Sequence, residues 1–201
     1  MVLSFVRHCI TQNNAKHVMT GVFDDSPLSE AGCSQAAGLG KWFQGQTIDV
    51  IYSSPLLRAT QTASAIGTAI GLNFQTCGEL IERDLGEYDG LRVEELKHVR
   101  ISKHHAFTDV TQDWYGVSGV EPDSSIYSRV SHLIEKVSPK AHAIFVTHAG
   151  VIKAFLHSTL RVDPTRGNYF AIKNGIVLQL SGESMSNLKL ILFCDPTVVF
   201  K

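Results

Sequence analysis

An arginine and a histidine directly follow a short apolar segment at the start of the chain. The segment runs over residues 2–6, and the pair is Arg7 and His8. A guanidinium group forms paired hydrogen bonds to phosphate or carboxylate oxygens, and an imidazole can act as a nucleophile near neutral pH. A solvated surface position explains one such pair equally well, so other residues have to decide between the two interpretations.

Two further apolar segments end in residues of the same kind. A strand predicted over 143–148 ends in His148, and Ala149 and Gly150 then form a small-residue turn before a helix predicted over 151–160. A strand predicted over 49–54 is followed closely by Arg58, at the first turn of another helix. The start of a helix presents backbone N–H groups that favour an anion. Three strand ends with this chemistry predict a site for a phosphate or a carboxylate.

Alternating strand and helix patterns predict the elements that position these residues. Strand patterns lie at 2–6, 49–54, 143–148, 169–180 and 188–193, and helical spacing at 29–43, 56–71, 93–99, 125–137 and 151–160. The alternation predicts an α/β fold, a three-layer sandwich with a mostly parallel central sheet, an antiparallel edge and helices on both faces. Ligands of such sheets bind beyond the carboxyl ends of the strands.

Length and composition narrow the class of protein. A chain of 201 residues suits a single domain over 1–201, in which the irregular stretch at about 86–124 is predicted to be a lid-like insertion. The net charge of −1 argues against a nucleic-acid partner, and no apolar run is long enough to predict a membrane partner. Four scattered cysteines and the absence of a signal-peptide pattern predict free thiols and a cytoplasmic location.

Motifs along most of the chain resemble those of the histidine phosphatase superfamily, also called the phosphoglycerate mutase-like family. The family begins with Arg-His-Gly after its first strand, where this chain has Arg7, His8 and Cys9. The following segments are similar to later family motifs and occur in the same order: SPLSEAG (26–32), YSSPLLRATQTA (52–63), LIERDLGEYDG (80–90), GVEPDSSIYSRV (119–130) and VTHAGVIKAF (146–155).

The resemblance implies a phosphatase that forms a phosphohistidine. His8 is then the nucleophile, and Glu82 is the general acid and base, preferred over neighbouring carboxylates because it alone matches the family's acid position. The remaining residues of the implied site, which surround the phosphoryl oxygens, are Arg7, Asn14, Arg58, His148 and Ala149. The implied substrate is a small phosphorylated metabolite, such as α-ribazole phosphate or a sugar phosphate, with inorganic phosphate as product. No metal or other cofactor is implied.

Cys9 departs from the family pattern and keeps alternatives open. A side chain in place of glycine puts the backbone geometry beside His8 in doubt. Cys9 itself is a rival nucleophile, and a phosphate-binding module without catalysis is a rival function. A phosphoglycerate mutase is a further alternative within the family, although the segment from Glu82 to His148 is short for that activity.

Overall fold

A central six-stranded sheet carries helices on both faces. The computed structural model describes residues 1–16, 18–23, 25–92, 94–95, 100–102, 105–106, 114, 117–163 and 170–196. The strands are β1 (Val2–Arg7), β2 (Val50–Ser53), β3 (Phe74–Thr76), β4 (Arg100–Ser102), β5 (His105–Ala106), β6 (His142–Thr147), β7 (Val177–Ser181) and β8 (Lys189–Cys194). The α-helices are α1 (Gln12–Ala15), α2 (Glu30–Phe43), α3 (Leu57–Ile70), α4 (Asp123–Ile134) and α5 (Ala149–Leu160).

The order of the strands brings the three predicted site segments together. The sheet runs β3-β2-β6-β1-β7-β8, with β3, β2, β6 and β1 parallel and with β7 and β8 antiparallel to their neighbours. Arg7 pairs with Thr147, and Ser53 pairs with Val146, so three adjacent strands end at the same level. The predicted fold class, including the antiparallel edge, is confirmed. β4 and β5 form a separate two-stranded sheet.

Two apolar cores sandwich the sheet because successive side chains of a strand point to opposite faces. In β1, Leu3 and Phe5 pack with α4 and α5, whereas Val6 packs with α2 and α3. The Phe5 ring lies 5.1 Å from that of Phe145 and 4.9 Å from that of Phe155, measured between centroids. Burial of each such side chain contributes roughly 1.5–3 kcal/mol. This packing fixes the strand ends that carry the site.

Local sequence signals set the ends of two helices as predicted. The Ser29 side chain accepts a hydrogen bond from the Gly32 backbone and so caps α2. Gly71 ends α3 with a φ of 74°, a left-handed conformation that glycine adopts without steric cost. Within the described ranges, no helix combines the length and the apolar character that a bilayer crossing requires.

Other predicted elements differ from the structure. The strand predicted over 169–180 is wrong in its first part, because β7 begins only at Val177. Asn174 and Gly175 form a turn there, and Gly175 has a φ of 73°. Helix α4 begins two residues before the predicted Ser125. Most of the helix predicted over 93–99 and part of the lid-like insertion lie outside the described residues. The single domain and the cytoplasmic location stay predictions.

Candidate active site

One cavity of about 490 Å³ opens at the carboxyl ends of the parallel strands. Five of the seven predicted site residues line it, namely Arg7, His8, Asn14, Glu82 and Ala149. The other two, Arg58 and His148, are fully buried and lie behind the residues that line the cavity. The ring centroids of His148 and His8 lie 5.1 Å apart. The structure therefore brings all seven residues into one region.

The imidazole of His8 is held in one tautomer. Its Nδ1 atom lies 2.8 Å from the backbone oxygen of Cys9, and a carbonyl oxygen can only accept, so Nδ1 carries the hydrogen. Burial, followed by the charges of Arg7 and Arg58, holds the pKa of His8 well below the ordinary value. The ring is therefore neutral at pH 7, and its Nε2 atom has an unprotonated lone pair.

His148 has the opposite tautomer. Arg58 donates from Nε to Nδ1 of His148 over 3.3 Å, which makes Nδ1 an acceptor. The other nitrogen, Nε2, then donates to the Ser54 hydroxyl over 2.7 Å. Burial, followed by the charge of Arg58, keeps the pKa of His148 well below the ordinary value. A neutral His148 thus holds the guanidinium of Arg58 in place.

Arg7 and Asn14 are fixed by the turn before β7. Arg7 donates from Nη1 to the Ile172 oxygen over 2.6 Å, and burial, partly opposed by the carboxylate of Glu82, lowers the pKa of Arg7 to about 10. Asn174 donates from Nδ2 to the Oδ1 atom of Asn14 over 3.0 Å. Because that oxygen is occupied, Asn14 can offer an anion only its amide nitrogen. Both side chains are therefore set as hydrogen-bond donors.

Glu82 lies against the start of α5. One carboxylate oxygen accepts from the backbone of Arg83 over 2.7 Å, and the other accepts from the N–H of Gly150 over 3.4 Å. A Cβ atom on Gly150 would lie 2.6 Å from Oε1 of Glu82, closer than atoms can approach. Glycine at this position is thus what admits the carboxyl group to the cavity wall, beside a helix N-terminus.

Known proteins with the same features identify the family of this chain. A profile of the Histidine phosphatase superfamily (branch 1) matches residues 3–189. The chain belongs to this superfamily. The resemblance inferred from the sequence motifs is therefore confirmed.

Individual relatives of this histidine phosphatase domain support the same assignment. The chain is 30% identical to Phosphoserine phosphatase 1 of Hydrogenobacter thermophilus over 198 residues, 96% of this chain and 92% of that protein. It is 32% identical to Phosphoglycerate mutase-like protein 4 of Arabidopsis thaliana over 154 residues, 74% of this chain and 66% of the plant protein. A phosphoserine phosphatase mutant from Entamoeba histolytica, solved with phosphoserine, has the same fold, with a TM-score of 0.82, 22% identity and coverage of 100% of this chain and 99% of that one.

A buried ionic network anchors the Glu82 segment of this histidine phosphatase. Arg83 donates from Nη2 to Oδ1 of Asp123 over 2.5 Å. It also donates from Nη1 to the backbone oxygen of Glu121 over 2.7 Å. The second oxygen of Asp123 lies 3.1 Å from Nδ1 of His157. The network ties the Glu82 loop to α4 and α5. The sequence motifs did not reveal this network, because its members come from three separate segments of the chain, and Arg83, directly after Glu82, was the one signal of its position.

Asp89 connects a second loop to the site. Its two carboxylate oxygens accept from the backbone N–H groups of Gly21, over 2.6 Å, and of Phe23, over 2.8 Å. The oxygen of Gly21 in turn accepts from Nη2 of Arg58 over 2.9 Å. Asp89 therefore positions an acceptor for Arg58. The motif LIERDLGEYDG contains this aspartate, but its spacing alone gave no partner.

Cys9 packs into the apolar core next to His8. Its side chain is fully buried in the core formed with α2 and α3, and its N–H donates to the Thr62 hydroxyl over 3.1 Å. Burial raises the pKa of the Cys9 thiol to about 12. A thiol of that kind is protonated at neutral pH and makes a poor nucleophile. The cysteine is thus accommodated as a core residue.

Proposed function

We propose that the protein is a phosphomonoesterase that acts through a phosphohistidine on His8 and needs no metal ion. The observation that carries the proposal is the hydrogen bond from Nδ1 of His8 to the Cys9 oxygen, 2.8 Å long. This bond leaves Nε2 as a neutral nucleophile in a cavity that Arg7 and Asn14 also line. The phosphatase name of the Hydrogenobacter relative, which this chain covers almost fully, supports the same activity.

In the first step, Nε2 of His8 attacks phosphorus and forms an N–P bond while the ester P–O bond breaks. Glu82 gives its proton to the leaving oxygen, which departs as an alcohol. Arg7 and Arg58 stabilise the phosphoryl oxygens, together with the N–H groups at the start of α5 and with His148, which holds Arg58. In the second step, Glu82 takes a proton from water, the water oxygen attacks phosphorus, and the N–P bond breaks to release phosphate.

The test is phosphate release in the presence of a chelator, from p-nitrophenyl phosphate, phosphoserine, 3-phosphoglycerate, sugar phosphates and α-ribazole phosphate. We expect His8→Ala to reduce release by at least about a thousandfold, because the covalent step is lost. Glu82→Gln should slow release by about a hundredfold for alkyl phosphates, and less for p-nitrophenyl phosphate, whose leaving group needs no proton. His132→Ala, on the exposed side of α4, is the matched control for loss of an imidazole.

Each alternative has its own outcome. Equal rates in wild type and His8→Ala would contradict the phosphohistidine, and a strict requirement for a divalent ion would contradict the metal-free mechanism. Transfer of the phosphoryl group between phosphoglycerates, with little free phosphate, would favour the mutase. Binding of phosphate without release from any ester would favour a binding module.

A further inference from the structure

The carboxyl group of Glu82 is held by two backbone N–H groups that come from different segments. One belongs to Arg83 in the same loop, at 2.7 Å, and the other to Gly150 in the first turn of α5, at 3.4 Å. The side chain of Arg83 joins the same two segments, because its Nη2 atom donates to the Gly150 oxygen over 3.5 Å. This guanidinium group therefore links the two parts of the chain between which Glu82 is held.

Asp123, at the start of α4, fixes the guanidinium group of Arg83. Its Oδ1 atom accepts from Nη2 of Arg83 over 2.5 Å, and its other oxygen lies 3.1 Å from Nδ1 of His157 on α5. Burial alone would raise the pKa of Asp123, but the contacts with His157 and Arg83 outweigh it and lower the pKa. The carboxylate is therefore ionised at neutral pH and connects the Arg83 loop to both helices.

The pair of Arg83 and Asp123 also controls the charge beside Glu82. Arg83 lines the same cavity as Glu82, and an unneutralised guanidinium group there would favour the ionised form of a neighbouring carboxyl group. Asp123 neutralises this charge at close range, with side chains that are only 4% and 10% exposed. A buried ion pair is weak evidence for stability, since desolvation offsets the attraction. These contacts therefore favour a role in positioning Glu82 over a role in stability alone.

We propose that Asp123 is a positioning residue for the proposed general acid Glu82. Asp123 is not among the described residues that line the cavity, so it acts through Arg83 and not on the substrate. Through Arg83 it holds the Glu82 carboxyl group against the start of α5 and balances the guanidinium charge there. The inference rests on the proposed function, because it takes Glu82 to protonate the leaving oxygen.

The test compares leaving groups that need a proton to different extents. Values of kcat/KM are measured for p-nitrophenyl phosphate, phenyl phosphate and the alkyl phosphate that wild type hydrolyses fastest. Asp123→Ala should slow the alkyl ester about tenfold and p-nitrophenyl phosphate less than about twofold, since acid catalysis contributes roughly a hundredfold or more in total. Asp123→Asn retains an oxygen that accepts from Arg83 but no charge, so the alkyl ester should be slowed less, by about threefold.

A double-variant cycle assigns the effect to Glu82. If Asp123 acts through Glu82, Asp123→Asn should slow the alkyl ester in the wild-type background but add nothing to Glu82→Gln. Ile126→Ala is the matched control, because Ile126 is a fully buried core residue of the same helix. It should lower stability without changing the ratio of the alkyl to the p-nitrophenyl rate. Asp123→Asn has nearly the native shape, so it keeps the test valid if Asp123→Ala does not fold.

Hydrogen exchange provides a readout that needs no turnover. The amides of Arg83 and Gly150 should exchange faster in Asp123→Asn, while those of β1 and β6 should not change. Equal slowing of all leaving groups, an additive loss in the double variant, or unchanged exchange at both amides would overturn the inference. Failure of the proposed function is a separate result, seen as no phosphate release by wild type from any ester, or as equal release by His8→Ala.

Discussion

Hydrogen-bond partners decide the chemistry of individual residues at this site. His8 and His148 are both buried and neutral, yet the Cys9 oxygen and the Arg58 guanidinium select opposite tautomers for them. Only His8 is left with an unprotonated Nε2 atom. In the proposed mechanism, the same imidazole group therefore serves as a nucleophile at position 8 and as a support for an arginine at position 148.

Cys9 provides a test at the residue scale. We expect Cys9→Ala to lower the free energy of unfolding by roughly 1–2 kcal/mol, because a fully buried side chain is shortened. Phosphatase activity should stay within about threefold, since the backbone oxygen that orients His8 is retained. Urea unfolding and p-nitrophenyl phosphate turnover measure the two effects.

The same variant separates the two candidate nucleophiles. Complete loss of turnover in a stably folded Cys9→Ala protein would indicate that the Cys9 thiol, and not His8, is the nucleophile. Cys33→Ala, a change of the exposed cysteine on α2, serves as the matched control.

At the scale of elements, the site depends on how loops are fastened to the strand ends. The Glu82 loop is tied to α4 and α5 through Arg83 and Asp123. The loop at 18–23 is fastened by Asp89, whose carboxylate binds two backbone N–H groups. These contacts hold loop backbone against the side chains of the candidate active site, which follow the ends of the strands.

Mutation of Asp89 tests whether this residue positions the Gly21 oxygen beside Arg58. Asp89→Ala removes both acceptors, so the Gly21 oxygen should lose its fixed position beside Arg58. We expect kcat/KM to fall by about tenfold, the size of one charge-assisted hydrogen bond. Asp89→Asn, which keeps one acceptor, should lose less.

Hydrogen exchange distinguishes positioning from general destabilisation. The amides of Gly21 and Phe23 should exchange faster in Asp89→Ala, while those of β1 and β6 should not change. Unchanged protection at Gly21, or an equal loss throughout the sheet, would contradict the role of Asp89 in positioning Arg58.

At the scale of the whole molecule, the burial of two neutral histidines makes the stability of the folded protein depend on pH. The pKa values of His8 and His148 lie well below the ordinary value in the folded state and return to about 6.5 on unfolding. The unfolded chain therefore binds more protons below pH 6.5, so stability is present above that pH and is lost as the pH falls. Asp123 acts in the same direction, since His157 and Arg83 outweigh burial and lower its pKa.

We expect the buried histidines to determine how steeply the free energy of unfolding changes with pH. Each buried neutral histidine contributes up to about 1.4 kcal/mol per pH unit below pH 6.5. His8→Ala should therefore flatten the dependence by up to that amount, whatever its effect on absolute stability. Urea unfolding at pH 7, 6 and 5.5 measures both slopes, and identical slopes would show that folding does not lower the pKa of His8.

The sequence alone determined the family, the fold class and the residues that follow the parallel strands. It could do so because strand and helix periodicities are local, and because Arg7, His8 and His148 stand directly at strand ends. The strand predicted over 169–180 was too long, because it ran through the turn that Asn174 and Gly175 form. Local propensity does not register that Asn174 has to reach the His8 oxygen.

Only the tertiary structure decided which distant groups meet around those strand ends. Arg83 and Asp123 are separated by 40 residues, and Asp89 and Gly21 by 68. The tautomers of the two histidines depend on the same course of the backbone. Sequence patterns record the type of each residue and its neighbours along the chain, whereas charge balance and hydrogen-bond direction depend on neighbours in space.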